Sequence, residues 1–291
     1  MGSGSGKLAL GIIRQLQARD DFTYSILEPS ADLAQRQRQL LSSNLPGQIM
    51  RRVCWLDSLP ADFEGVVVAN EVMDALPVER FQAAQGGFEQ FCVAADLTLE
   101  TRPANVNLLK ALTAIEADLG APFAEGYESE VCLLLAPWLT SLSSMLTRGV
   151  LLLIDYGYPQ TEYYAAERHT GTLACYYRHR AHDDPFHLPG LQDITAHVDF
   201  TAVVKAGIGA GLELLGYASQ SAFLLDNDLL VLAEKVQKGA TGTRDALALS
   251  QEVKTLTLPG EMGERFQVMA LGKDYDYPLR GFRSQDLSYR L

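Results

Sequence analysis

The sequence predicts an α/β protein built on a doubly wound, mostly parallel sheet. Three observations carry that expectation. The apolar runs Val66-Val67-Val68-Ala69 and Val150-Leu151-Leu152-Leu153-Ile154 are continuous rather than alternating, as in strands covered on both faces. Segments with helical spacing alternate with such runs along the chain. Acidic or amide residues close several of the predicted strands, namely Glu28, Asp57, Asn70 and Asp155. In an open α/β sheet that edge is where ligands bind.

Taken in order, the first element is a loop, Gly2-Ser3-Gly4-Ser5-Gly6-Lys7-Leu8-Ala9, running into a helix over 7–18 in which Leu8, Ile12, Ile13 and Leu16 recur at helical spacing. Alternating glycines permit positive φ and let a ligand approach without a Cβ in the way. The helix behind them turns its unpaired N–H groups toward the loop. A P-loop is excluded, because Met1 stands where its first glycine belongs and Leu8 replaces its hydroxyl. The dinucleotide fingerprint G-x-G-x-x-G is not matched either. Two readings of the loop stay open at this point: a cloning linker of the Met-Gly-Ser-Gly-Ser-Gly kind, and the G-x-G-x-G-x-L-A cofactor loop of class I methyltransferases.

Residues 22–28 read as a buried strand ending in Glu28, about 20 residues past the last glycine, where an α/β nucleoside site places the acid that accepts ribose hydroxyls. Ser30 and Asp32 then cap a helix through Leu33, Leu40 and Leu41. Residues 49–56 form a third strand before Asp57, and 65–69 a fourth before the segment Asn70 to Val78. A hairpin about Gly86-Gly87 is expected within 81–93, and a helix over 104–119. A long amphipathic helix is expected over 127–147, closed by Gly149. After the strand 150–154, residues 160–198 are polar, aromatic and weakly periodic, which suggests a functional cap. A helix over 199–210, a strand over 212–218, helices within 220–254 and a last strand over 264–271 complete the chain.

The 291 residues are 47% hydrophobic, enough for one large core. A net charge of −12 argues against a broad electrostatic grip on nucleic acid or on an anionic membrane. No apolar stretch is long enough to span a bilayer, and no signal peptide is visible. Cys54, Cys92, Cys132 and Cys175 form no C-x-x-C pair; Cys54 and Cys132 lie in apolar runs and are expected as reduced core thiols. The histidines near Asp183 and Asp193 match no metal-ligand spacing, so no metal is expected.

At Asn70-Glu71-Val72-Met73-Asp74-Ala75-Leu76-Pro77-Val78 the chain resembles the MidA-type methyltransferases, a family that includes the mitochondrial complex I assembly-factor arginine methyltransferase. Their signature is an N/H-E-x-x-D-x-L-P-V segment after the fourth strand. Gly2 to Ala9, Leu27-Glu28, Asp155-Tyr156-Gly157-Tyr158, Gly171-Thr172-Leu173, Tyr177-Arg178-His179-Arg180, the segment Asp193 to Phe200 and the segment Pro259 to Phe266 resemble further family motifs in the same order. The resemblance covers essentially the whole chain. It implies a Rossmann-like class I methyltransferase fold in a single domain, 1–291, with insertions at about 82–130 (hairpin plus helix) and 160–198 (cap). Family members carry the first, central strand before the loop. Met1 falls where that strand would finish, so a sheet lacking it is expected.

The same resemblance implies S-adenosyl-L-methionine (AdoMet) as cofactor and an arginine of a partner protein, a respiratory complex I subunit, as methyl acceptor. It assigns Gly2, Gly4, Gly6, Glu28, Asp57 and Asn70 to the cofactor. Glu71 and Asp74, with Asn70, become the catalytic candidates, because paired carboxylates hold a guanidinium fork and localise its charge. Asp155, Tyr156, Arg178, His182 and His197 are the substrate-side candidates; a strand-end Asp155 satisfied by backbone N–H groups is the competing reading of that residue. Cytoplasmic residence is expected, or the mitochondrial matrix in a eukaryote with its targeting segment absent; homodimerisation stays open. The alternatives are an assembly or scaffold protein impaired in catalysis, and a small-molecule methyltransferase.

Overall fold

The computed structural model describes residues 1–19, 21–178, 180–239 and 242–291. After the loop, α1 (Lys7–Leu16) buries Ala9, Leu10 and Ile13 against β1 (Tyr24–Leu27). Helix α2 (Ala31–Asn44) starts where expected, with Ser30 accepting from the N–H of Leu33. A short α3 (Gly47–Met50) leads to β2 (Val53–Leu56), which pairs parallel with β1 so that Leu27 stands opposite Leu56. The next strand, β3 (Phe63–Asn70), belongs to a different sheet. Between β1 and β3 lies a slot of about 130 Å³ lined by Tyr24, Leu27, Val66 and Val67. The Met1 amine enters it and donates to the Val68 carbonyl at 2.9 Å.

The hairpin expected about Gly86-Gly87 is present as β4 (Glu79–Ala84) and β5 (Gly87–Val93). It continues into an edge strand that the sequence did not signal, β6 (Leu99–Pro103), whose residues are all exposed and largely polar. Helix α4 (Val106–Leu119) starts at Asn105, whose side chain accepts from two backbone N–H groups. The single helix expected over 127–147 is not formed. That stretch divides into β7 (Glu128–Val131), which pairs with β4, and α5 (Leu135–Met145). Pro137 explains the division: it falls in the first turn of α5, where a missing N–H costs nothing, and would break a helix running through it. Gly149 does not close a helix but lies inside β8 (Leu146–Tyr158), opposite Gly65 of β3.

The cap follows as α6 (Gln160–Tyr163) and a small antiparallel sheet of β9 (Ala174–Tyr177), β10 (Arg180–His182) and β11 (Asp193–Thr195). His179, within one of the resembling motifs, lies outside the described residues. The short β12 (Val198–Asp199) joins the end of β8, and Asp199 caps α7 (Phe200–Gly209). Then come β13 (Glu213–Ser219), α8 (Gln220–Asp226), α9 (Leu229–Gly239), α10 (Thr243–Thr257), α11 (Met262–Arg265) and β14 (Phe266–Lys273).

β3 runs parallel to β8; β14 lies antiparallel on the other side of β8 and carries β13 at its outer edge. The mostly parallel sheet of the sequence reading is therefore present, with β14 as its antiparallel member. Leu139, Leu142, Leu151, Leu153, Val203 and Leu271 sit in the main core between this sheet, α5 and α7. Cys54 departs from expectation: it is exposed on β2 beside Ser25. Among the described residues no helix is long and apolar enough to cross a membrane.

Candidate active site

The loop and the first two strands build one half of the site. Gly2, Gly4 and Gly6 all hold positive φ, at 66°, 45° and 88°. A Cβ on Gly2 would stand 1.9 Å from the Asn70 carbonyl oxygen, so the loop packs directly on the end of β3. Glu28 accepts from the N–H of Ser30 and from Gln37 Nε2, each at 3.0 Å. The same Gln37 nitrogen donates to the Gly4 carbonyl at 2.9 Å, while its Oε1 accepts from the Trp55 indole at 3.1 Å. One buried amide thus ties loop, acid and β2 together. Sequence reading missed Gln37; its signal is a polar residue on the buried helix face that also carries Ala34 and Leu41. Asp57 follows Leu56 and is exposed beside Glu28 at the same end of the parallel pair.

The second half is the turn after β3. Asp155 is fully buried, and its Oδ2 accepts from the N–H groups of Val72, Met73 and Asp74 at 3.0 to 3.2 Å. Its Oδ1 accepts from Tyr156 N at 3.0 Å, so the carboxylate is spent on holding the turn. Glu71 adopts φ 49°, a conformation costly for any residue but glycine. Asn70 Nδ2 donates to Glu71 Oε1 at 3.1 Å, and the Tyr156 hydroxyl donates to Asp74 Oδ2. Asp74 Oδ1 is buried with no hydrogen-bond partner among the described residues.

The carboxyl groups here bind protons more tightly than usual. Burial raises Glu71, and the charges of Asp74 and Asp193 raise it further. Burial also raises Asp74, with Asp193 adding to the effect while the Tyr156 hydrogen bond opposes it. Asp155 is pushed up to about 8, by burial first and by Asp74 second. Asp74 acts on Glu71 and on Asp155, and Asp193 acts on Glu71 and Asp74, so this acidic group favours an added cation.

That cleft measures about 610 Å³ and is lined by Glu71, Tyr156, Arg178, Asp193, His197 and Arg265, together with Tyr176 and Phe266. The Tyr156 ring meets His197 and Phe266 edge-on, with centroids 5.1 and 5.4 Å apart. Burial, then the charges of Arg168 and Arg265, push the His197 imidazole down to about 4, so it is neutral at physiological pH. Its backbone N–H donates to Thr172 Oγ1, which in turn donates to the buried Glu130 carboxylate. Of the substrate-side candidates, Tyr156, Arg178 and His197 reach the cleft. Asp155 sits behind it, and His182 packs against His187 elsewhere in the cap. Asp193 and Arg265 were not read as site residues, because only the tertiary fold carries them to Glu71. Among the described residues no group of three or more His, Cys, Asp or Glu is arranged to hold a metal ion.

A family model described as "Putative S-adenosyl-L-methionine-dependent methyltransferase" matches residues 1–218. The chain belongs to this methyltransferase family. A crystal structure of a Burkholderia thailandensis protein bound to S-adenosyl-homocysteine superposes with a TM-score of 0.90 at 39% identity, covering 100% of this chain and 74% of that one. The protein arginine methyltransferase NDUFAF7 of zebrafish, Danio rerio, is 27% identical over 93% of this chain and 67% of its own length. The mouse protein of that name is 30% identical over 84% of this chain and 53% of its own. The chain therefore spans between about half and two thirds of the length of the curated relatives it matches.

As a methyltransferase of this family, the chain has a Rossmann-like fold and uses AdoMet. The loop half of the site fits that cofactor on its own chemistry. At Gly4 nothing stands within 4 Å of where a Cβ would be, so the loop leaves open space there. Glu28 uses one acceptor position on each oxygen for Ser30 and Gln37, and a carboxylate offers about four, so two ribose hydroxyls can still be accepted.

Proposed function

We propose that this methyltransferase modifies an arginine side chain of a partner protein, with residues 1–291 acting as one domain. The observation that supports this reading is the meeting of Glu71 and Asp193 on one cleft with the buried Asp74 close by: Asp74 raises the proton affinity of Glu71, and Asp193 raises that of both. The names of the zebrafish and mouse relatives support it as well. By the same family resemblance the partner is a respiratory complex I subunit, and the site of action the cytoplasm or the mitochondrial matrix.

In this mechanism Gly2, Gly4 and Gly6 would cradle the cofactor, Glu28 would accept from its ribose hydroxyls and Asp57 from its adenine amino group. AdoMet supplies an electrophilic methyl group on a sulfonium. Glu71 and Asp74 hold the guanidinium fork and draw its positive charge away from one nitrogen, leaving that lone pair free for in-line attack. Asn70 fixes Glu71 and Tyr156 fixes Asp74, so neither carboxylate has to find its position when substrate arrives. Methylation releases one proton. Asp74 takes it, since its Oδ1 lacks a partner and its proton affinity is already raised.

The test combines calorimetry with AdoMet and transfer of a labelled methyl group to arginine-containing proteins and peptides. Glu71→Gln should lower transfer by about 10²-fold or more while leaving AdoMet affinity within about threefold. Unchanged transfer by this variant, or turnover with small molecules alone, would remove the arginine assignment.

A further inference from the structure

We infer that the partner's methyl-accepting arginine lies between acidic residues, which Arg178 and Arg265 receive at the mouth of the cleft. The inference rests on the arginine reading of that cleft and extends it to what surrounds the arginine.

The two cations come from different parts of the chain. Arg178 follows β9 in a left-handed turn with φ 49°, and Arg265 ends α11 just before β14. Both are exposed and both line the cleft that holds Glu71 and Asp193. Neither makes an ion pair or a side-chain hydrogen bond with any other described residue; Arg178 only rests its guanidinium 5.3 Å from the Tyr177 ring. Other exposed arginines do pair with acids, Arg36 with Asp32, Arg102 with Glu100 and Arg280 with Asp228.

Charges of both signs share the cleft. Glu71 and Asp193 supply its carboxylates, and the buried Asp74 raises the proton affinity of Glu71. Arg178 and Arg265 supply its cations, and the field of Arg265 reaches the His197 imidazole. A guanidinium entering alone would satisfy the carboxylates and meet two like charges in the same cleft. A guanidinium with carboxylates on neighbouring residues satisfies both sets of charges, and like-charge juxtaposition with the two arginines rejects lysine-flanked competitors. The left-handed backbone at Arg178 fixes where its side chain leaves the cap, which suits a recognition position better than a solvated one.

The experiment uses the full chain and peptides with one central arginine, flanked by Asp or Glu on both sides, by Ala, or by Lys. Acid-flanked peptides should exceed Ala-flanked ones in kcat/KM by roughly tenfold, mostly through KM, with Lys-flanked ones poorest and the spread shrinking as salt rises. In the double variant Arg178→Glu, Arg265→Glu the order should invert, with AdoMet affinity by calorimetry and melting temperature both kept. Equal rates for acid-flanked and Ala-flanked peptides overturn the inference while leaving arginine methylation intact. So does a double variant that keeps the wild-type order, or one that loses AdoMet affinity instead. Transfer to none of the peptides, with AdoMet bound, overturns the arginine reading itself and the inference with it.

Discussion

The Tyr156 hydroxyl donates a 2.5 Å hydrogen bond to Oδ2 of Asp74, across 82 positions of sequence. It is the only hydrogen bond to that carboxylate from a side chain among the described residues, because Asp74 Oδ1 has no partner. The bond opposes the effect of burial on Asp74 and so keeps its carboxylate available at lower pH than it would otherwise be.

Tyr156→Phe removes that donor and leaves a buried carboxylate with neither oxygen bonded by a side chain. The proton affinity of Asp74 then rises. The acid limb of the pH–rate profile should move to higher pH, and the rate at neutral pH should fall by about tenfold to a hundredfold. AdoMet affinity should stay the same. A variant with the wild-type profile would show that Tyr156 does not set the state of Asp74.

Gln37→Leu keeps the volume of the side chain and deletes all its hydrogen bonds. Gly4 O, Glu28 Oε2 and the Trp55 indole each lose a partner. Unsatisfied polar groups cost about 1–3 kcal/mol apiece when buried. The loop and Glu28 should lose their mutual alignment, so AdoMet binding measured by calorimetry should weaken by about tenfold or more, together with a lower melting temperature. An unaltered dissociation constant would separate Gln37 from the cofactor site.

Gly2→Ala tests the seating of the loop on β3. The added methyl would stand 1.9 Å from the Asn70 carbonyl oxygen, and alanine resists the φ of 66° found there. The loop has to move away from Asn70. AdoMet affinity should drop by at least about tenfold, whereas the thermal unfolding of the main sheet should barely change. Retained affinity would mean that the cofactor does not need the loop in this position.

Asp199 gives a pH-dependent stability with a definite sign. Burial pushes its carboxyl up to about 6 from an ordinary 3.8. The folded state therefore binds the proton more tightly, and stability is lost as pH climbs from about 4 through about 6. Asn at this position still caps α7 through its side-chain oxygen. Asp199→Asn should match the wild type near pH 4 and exceed it above pH 6, by up to about 3 kcal/mol. Taking variant minus wild type cancels His197, whose lowered value gives the opposite trend over the same range. Equal unfolding midpoints at both pH values would refute the shift.

The sequence by itself determined the local elements and the edge at which the chemistry gathers. Continuous apolar runs specify β3 and β8; Ser30 and Asp199 specify the starts of α2 and α7; alternating glycines specify a loop of positive φ. Each signal is read within a few residues of the structure it causes. The segment 127–147 misled for the same reason, since its apolar spacing is helical while the pairing of β7 with β4 lies more than 40 residues back along the chain. Only the tertiary structure decided which polar groups meet. Gln37 reaches Gly4 and Glu28 because α2 packs beside the loop, and Asp193 reaches Glu71 because the cap folds back over the sheet. Asp155 could be a ligand or a brace from sequence alone; burial beneath the turn of residues 72–74, with three N–H groups aimed at it, makes it the brace. Contacts of this kind join residues that have no periodic relation in the chain, so packing sets them and local pattern cannot.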